Sequence, residues 1–515
     1  MNYKAISLIL DNIVKSFPYF LPEITLSAFF LIAIITDLIM GKKNQMVTPI
    51  VALIGLAVSF ALSAMQYNLI HELIEAKKGS ALPLFAGMLT LDRVAIFFKL
   101  LFVVSGILGI ALTLNSKTAE NARGMGEFYS ILLAVVLGMN LMAMSSNLLM
   151  MFIAIELVSL GSYVLVTYTR TNPKSAESGL KYVIYGGVSS GFMIYGISLL
   201  YGFTGTMGFN LQFVTGLAEI PYSVLAIAVL MVLAGIGYKI AMFPFHFWSP
   251  DVYEGAPTPV TAFLAVGPKA AGFALLMRFL ITFTTSVKGV IVPSLNMDWV
   301  SIIAILAMLS MTFGNFSALW QNNVKRMLAY SSIAHAGYML MGVVALSVLG
   351  ISSVMFYLTV YLIMNMGAFV ILTMITEKIG SEDIRDFKGL GYKMPVLGAC
   401  LVLFMVSLTG LPPTAGFSGK LMLFQGLYEA WRVNPYSNMS DILFWLMIVG
   451  VVNSVVSLFY YFKIPLYMFI RENENAPEMK LSTFGTVLAI VLAIPTLVIG
   501  VSFSWLMDFI QKSFS

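Results

Sequence analysis

Charge is what this 515-residue sequence has least of: Asp, Glu, Lys and Arg together make up 10% of it, where a water-soluble globular domain carries about a quarter. Apolar residues reach 59%, more than a core surrounded by water can bury, so lipid must solvate most of the chain. Cysteine is almost missing. Cys400, alone and inside an apolar run, excludes a disulfide framework, a cysteine-ligated zinc and an iron-sulfur cluster; any electron carriers are expected on other chains. A net charge of +5 with no long basic run argues against nucleic acid. No GxxxxGK[ST] stretch occurs, and Gly186, Gly187 and Gly191 fall inside an apolar segment where small residues serve helix packing, so no nucleotide site follows. Apolar runs recur to the last residues, unlike the single short run of a cleaved leader.

A membrane-spanning helix needs about 20 mostly apolar residues. Fourteen segments qualify, near 18–40, 48–66, 93–114, 127–145, 147–168, 180–202, 222–253, 257–283, 299–320, 326–350, 352–376, 394–430, 443–470 and 483–509. Ten-residue stretches of alternating polarity are absent, so the expected fold is an all-α, polytopic membrane protein and not a barrel. Positive loops stay cytoplasmic. Loops after odd-numbered spans hold sixteen Lys and Arg, including Lys42, Lys43, Lys117, Arg123, Arg170 and Lys480; the other side holds nine, including Lys77, Lys78 and Lys288. Both termini are therefore expected outside. The remaining four cations, Lys99, Lys239, Lys269 and Lys420, sit within spans.

Two spans are too long for one crossing and carry helix breakers, Pro244 in the seventh and Pro412 with Pro413 in the twelfth. Both read as discontinuous helices, the expected pointer to a transporter's site. They share a pattern, Gly235-x-x-x-Lys239-x-x-x-Phe243 and Gly416-x-x-x-Lys420-x-x-x-Phe424. The offset between them is five helices, so equivalent elements would cross in opposite directions. The expected organisation is helices 1–3 in residues 1–126, a first repeat (helices 4–8) in 127–283, a second, inverted repeat (helices 9–13) in 299–470, and helix 14 in 483–515.

A charged side chain at the bilayer centre costs about 2.5 to 3.5 kcal/mol on translocon scales, so each mid-span lysine needs a partner or water. Glu156 is the one acid deep in a span, and an ion pair with Lys239 is expected. The alternative is a static pair that only fixes packing. Lys269 follows Gly267 and Pro268, which loosen the eighth helix and would admit water; at about a dozen residues into the span it is too deep to snorkel. Lys99 lies near a helix end and is expected to snorkel, a structural role. His335, beside Ser331, Ser332 and Tyr338, could relay protons or simply bond a neighbouring helix. His246 could guide protons inward or cap carbonyls freed by the break. Interface positions explain Glu23 and Asp37, and solvation explains the mixed-charge loop EKIGSEDIRDFKGLGYK.

The stretches HFWSPDVYEGAPTPVTAFLAVGPKAAGFA, NVKRMLAYSSIAHAGYML and GLPPTAGFSGKLMLF resemble the antiporter-like membrane subunits of the proton-pumping NADH:quinone oxidoreductase, respiratory complex I. The DVYEGAPTPV and GPKAAGF blocks are similar to its N subunit over the L and M relatives. The resemblance covers the fourth to the thirteenth helix. It implies a translocase subunit in which Glu156, Lys239, Lys269, Lys420 and His335 form a proton pathway, driven by quinone reduction elsewhere in the assembly. It also implies FMN, iron-sulfur clusters and quinone on other subunits, none on this chain, and partners among the other membrane-arm subunits in a bacterial inner membrane. The alternatives are a subunit of a ferredoxin-driven quinone reductase, of a membrane-bound hydrogenase, or of a multisubunit cation/proton antiporter.

Overall fold

A computed structural model of the protein describes residues 3–40, 46–75, 80–116, 125–169, 172–217, 219–284, 299–433, 438–473, 476–479 and 481–514. Of the cations counted above for orientation, Lys42, Lys43, Lys77, Lys78, Lys117, Arg123, Arg170, Lys288 and Lys480 lie outside these residues. The fold is helical, as the long apolar runs require. We number the membrane helices α1 Leu21–Met40, α2 Val47–Glu75, α3 Arg93–Leu114, α4 Met125–Met144, α5 Leu148–Val166, α6 Pro173–Thr204, α7 in two halves (Tyr222–Ile240 and Trp248–Gly255), α8 Thr258–Thr284, α9 Trp299–Leu319, α10 Val324–Val344, α11 Val348–Ile379, α12 in two halves (Pro395–Thr409 and Ala415–Val433), α13 Asn438–Tyr461 and α14 Thr483–Val501. Among the described residues thirteen helices are long and apolar enough to cross a membrane. α12 completes the fourteen, because its break leaves a first half too short to count alone.

Helix ends follow local chemistry. Asp92, Asn147, Asn172, Asn323 and Ser347 each turn a side-chain oxygen onto the free N–H groups that open α3, α5, α6, α10 and α11. Gly205 and Gly380, both left-handed, close α6 and α11. Besides a short helix at Leu211–Leu217, three features had no counterpart in the sequence reading. A helix at Tyr3–Ser16 precedes α1, a short hairpin pairs Ala81–Leu84 with Leu89–Asp92, and the last segment bends after α14 into a helix at Ser504–Gln511.

Helix α1 packs on α2 and α4, α2 packs on α3 and α4, and α3 packs on α4 and α8. Within the next five, α4 meets α5 and α8, α5 meets α6, and α6 meets α7; within the following five, α9 meets α10 and α13, α10 meets α11, and α11 meets α12. The two sets touch where α8 lies against α10 and α11 and where the second half of α7 lies against α10. α8, α10 and α11 are accordingly the most fully buried spans, while α6, α13 and α14 turn large apolar side chains outward.

The glycines of α6 separate into two kinds. Added methyl groups at Gly187 and Gly191 would meet nothing within 4 Å, so within the chain these do not serve packing, contrary to the sequence reading; Gly186 lies against the Tyr163 and Tyr238 hydroxyls. A methyl at Gly196 would fall 2.5 Å from the Ala228 carbonyl oxygen and 3.0 Å from the Val232 nitrogen of α7. Gly196→Ala is expected to push α6 off α7 at a cost of about 1–3 kcal/mol, whereas Gly191→Ala should leave stability unchanged or raise it by about 0.5–1 kcal/mol. Thermal unfolding of the two variants in the same detergent tests the contrast.

Candidate buried lysine axis

The two breaks are built alike. The first half of α7 ends with Ala241 left-handed (φ 57°), and Met242 N donates back to Gly237 O at 3.0 Å. The first half of α12 ends with Gly410 left-handed (φ 88°), and Leu411 N donates back to Val406 O at 3.2 Å. In each, a proline follows three residues after the left-handed residue. Registered on these caps, Lys239 corresponds to Leu408 and Lys420 to Asp251, so the nine-residue sequence match does not align the two breaks. The freed groups find side-chain partners. Trp248 Nε1 donates to Tyr238 O at 3.0 Å, and Ser310 Oγ accepts from Phe243 N at 2.9 Å.

Both lysines nevertheless lie at the negative end of a half-helix dipole. Lys239 occupies the last turn of the first half of α7. Lys420 starts from the second half of α12 and reaches back, its Nζ donating to the carbonyl of Thr409 at 2.8 Å. Each is buried.

The expected Glu156–Lys239 ion pair is not formed. Lys239 Nζ donates to Ser159 Oγ at 3.2 Å, and Glu156, one turn earlier on α5, accepts a hydrogen bond from Ser190 of α6. Two serines therefore stand where one direct contact was expected. Lys269 Nζ donates to Ser332 Oγ at 2.6 Å and stands 5.6 Å from the centre of the Tyr253 ring. α8 is helical straight through Pro268, and Gly272, one turn beyond Lys269, packs against the Lys239 stem.

α10 then carries the polar line onward at successive turns. Its Ser332 holds Lys269 and its His335 bonds two hydroxyls, Nδ1 with Tyr357 at 2.7 Å and Nε2 with Tyr461 at 2.8 Å. Tyr461 also bonds Ser331. Tyr338 lies under Lys420, ring centre 4.4 Å from Nζ, and its hydroxyl accepts from Ser454 Oγ at 3.2 Å. From Ser332 to Tyr338 is six residues, about 9 Å of helix rise. Together these residues can pass a proton between hydroxyl, imidazole and amine groups.

His246 stands apart. It is buried in the α7 break among Phe247, Phe313 and Phe243, with ring centres 4.4, 4.5 and 5.5 Å away, and neither ring nitrogen has a hydrogen-bond partner. It caps no carbonyl. Two further readings are corrected. Lys99 does not snorkel, and Glu23, at the start of its span, is buried by protein. They form an ion pair at 2.9 Å in which both side chains are 0% exposed. Their positions near helix ends hid this, because only the packing of α1 against α3 and α4 reveals what faces them. The mixed-charge loop is likewise ordered: Ile384 and Phe387 are buried, and Glu382 pairs with Lys325 at 2.7 Å. It walls a polar cavity of about 540 Å³ that includes Glu254, Lys174 and Asp383. Arg385 holds the Asp383 carboxyl below its ordinary range by hydrogen bonds. A second cavity, about 290 Å³ and mostly apolar, opens beside Lys420 between α12 and α13.

The family described as NADH:quinone oxidoreductase/Mrp antiporter matches residues 145–457, which contain all six candidate residues. A relative described as NADH-quinone oxidoreductase subunit N 2, from Chloroherpeton thalassium, is 46% identical over 500 residues, covering 96% of this chain and 94% of its own. A chain of respiratory complex I from Thermus thermophilus superposes with a TM-score of 0.75 at 30% identity, covering 95% of this chain and 98% of that one. A chain of the Mrp complex from Dietzia has the same fold, TM-score 0.74, at 19% identity. The chain therefore belongs to the NADH:quinone oxidoreductase/Mrp antiporter family of membrane subunits, among the subunit N relatives of respiratory complex I.

Proposed function

We propose that this chain translocates protons as a membrane-arm subunit of an NADH:quinone oxidoreductase. The observation that carries the reading is the line of exchangeable groups from Ser159 and Lys239 through Lys269, Ser332 and His335 to Tyr338 and Lys420. An ammonium buried against hydroxyl and carbonyl oxygens keeps a hydrogen-bonded donor position while lacking a carboxylate that would pin its charge. Lysine suits such a relay because its amine can lose the proton, as a guanidinium does not. The proton is taken up from the cytoplasm through the first set of five helices, passes Lys239 and Lys269, and leaves outward beside Lys420.

In this reading Glu156 modulates Lys239 from a distance: its negative charge favours the ammonium form, and a change in its surroundings shifts that balance. His246, whose ring nitrogens have no hydrogen-bond partner in the protein, serves as the inlet group through water. Quinone reduction on other subunits, which would also hold FMN and the iron-sulfur clusters, supplies the driving force. Residues 127–283 and 299–470 act as inverted repeats, supported by the matching neighbour pattern of their helices and the shared cap geometry of their breaks. Both termini face outward from a bacterial inner membrane, as the loop charges suggest.

Lys239→Ala should lower proton pumping by the reconstituted complex about tenfold or more, a barrier increase of at least about 1.4 kcal/mol, without loss of assembly. Lys239→Arg should fail as well. Arg at that position pumping at the wild-type rate would take Lys239 out of the path. Glu156→Gln keeps an acceptor for Ser190 and removes the charge, so it should impair turnover more than Glu156→Asp; equal and near-normal activities would mark Glu156 as a packing group. In a chain whose Cys400 has been replaced, single cysteines near Lys239 should react with membrane-impermeant thiol reagents from the cytoplasm and those near Lys420 from outside. Reaction of both from one side would contradict the proposed orientation of the two half-pathways.

A further inference from the structure

The second half of α7, Trp248–Gly255, is 8 residues long and follows the turns at 241–247. A helix so short is not stable by itself, and no side chain caps its first turn. Its neighbours must hold it. It lies between α6, from the first set of five helices, and α10, from the second. Against α6 the backbones nearly touch: Ser178 Oγ donates to Asp251 O at 2.8 Å, and a methyl added at Gly255 would overlap Ser178 Oγ and the Lys174 carbonyl oxygen.

One side of this half-helix meets the neighbourhood of two axis lysines. Trp248 Nε1 donates to the carbonyl of Tyr238, the residue before Lys239, and the Tyr253 ring centre stands 5.6 Å from Lys269 Nζ. Trp248 also stacks on Tyr182 of α6, ring centres 4.5 Å apart. Ser249 and Tyr253 each lie two residues from Asp251, about 200° around the helix, and both are buried.

The opposite side carries the charges. Asp251 Oδ2 accepts from Lys181 of α6 at 2.7 Å, and its Oδ1 accepts from Arg326 of α10 at 2.6 Å. Arg326 also donates to Glu254 Oε2 at 3.0 Å, Lys174 Nζ stands 3.6 Å from Glu254, and Lys181 meets Glu177 of its own helix at 2.8 Å. A lone exposed ion pair contributes little, but a network with shared charges fixes geometry. Here a single carboxylate ties the half-helix to one helix of each set.

We propose that Asp251 is a positioning residue for proton transfer. By holding the second half of α7 against both α6 and α10, it sets where Tyr253 stands beside Lys269 and where Trp248 holds the end of the first half at Lys239. The clamp stands on these contacts, while its consequence for protons rests on the translocation reading above.

In a reconstituted complex whose Cys400 has been replaced, Ser249→Cys is expected to stay unreactive toward a small methanethiosulfonate. Adding Asp251→Asn, which keeps the size and removes the charge, should speed the reaction about tenfold or more as the half-helix opens locally. Ser105→Cys, buried in α3, should stay protected in both backgrounds. Asp251→Asn by itself should assemble normally and slow proton pumping about threefold or more, because small misplacements of positioned groups are costly; Asp251→Glu, which keeps the charge, should recover most of the rate. Arg326→Gln should act like Asp251→Asn, and the double variant should fall within about twofold of the slower single, since both remove one shared interaction. Protection of position 249 in the Asp251→Asn background, equal reaction at positions 249 and 105, or exposure at 249 with unchanged pumping would each overturn the positioning role. Normal pumping by Lys239→Ala would instead remove the translocation reading, and exposure at 249 would then show the clamp standing without it.

Discussion

Keeping lysine amino groups inside a lipid-solvated bundle without pinning them to carboxylates is the constraint around which this fold is arranged. Lys239, Lys269 and Lys420 are each buried, and each is held by neutral oxygen: Ser159, Ser332, and the Thr409 carbonyl with Ser454 at 3.4 Å. Neutral oxygens stabilise a buried cation less than a carboxylate does, so something must add to them. The half-helix ends supply it at Lys239 and Lys420, since aligned peptide dipoles place partial negative charge there. Both breaks therefore have an electrostatic purpose beyond relieving two long spans.

The same constraint explains why α8, α10 and α11 sit at the centre. A helix that carries Lys, His, Ser and Tyr on consecutive turns cannot face acyl chains, so α10 is enclosed by its neighbours almost throughout. The exterior is left to helices such as α6 and α13, whose outward residues include Val183, Val188, Val451 and Val455. Glu23 and Lys99 show the opposite solution, direct neutralisation. A carboxylate and an ammonium in contact lock each other's charge, which suits holding α1 against α3 and explains why this pair looks unlike the axis.

Much of this arrangement is legible in the sequence. Spans are readable because bilayer thickness sets their length, and breaks because proline removes a backbone donor at a fixed place. Mid-span lysines stand out because so little other charge is present. Contacts between helices are not legible in the same way. Whether Lys239 meets Glu156 or Ser159 depends on one turn of α5, and whether Lys99 reaches water depends on what α1 places opposite it. The proposed repeat illustrates the limit well: a Gly-Lys-Phe spacing suggested one register between the broken helices, and the backbone caps at Ala241 and Gly410 give another. The hairpin at 81–92 and the short terminal helices lack the long apolar signature that marks a span.

The cavity beside Lys420 has an electrical meaning. A proton path through a membrane is useful only if it is insulated from the lipid and from the opposite surface. α10 is wrapped by protein on every side, but at Lys420 the wall between axis and exterior is an opening lined by Phe417, Leu421, Val451 and Val455. The chain's own wall is thus open beside Lys420, the residue proposed to release the proton outward. Whatever lies against the α12–α13 face forms part of the dielectric, and the voltage that the path can withstand is a property of that contact as much as of the chain itself.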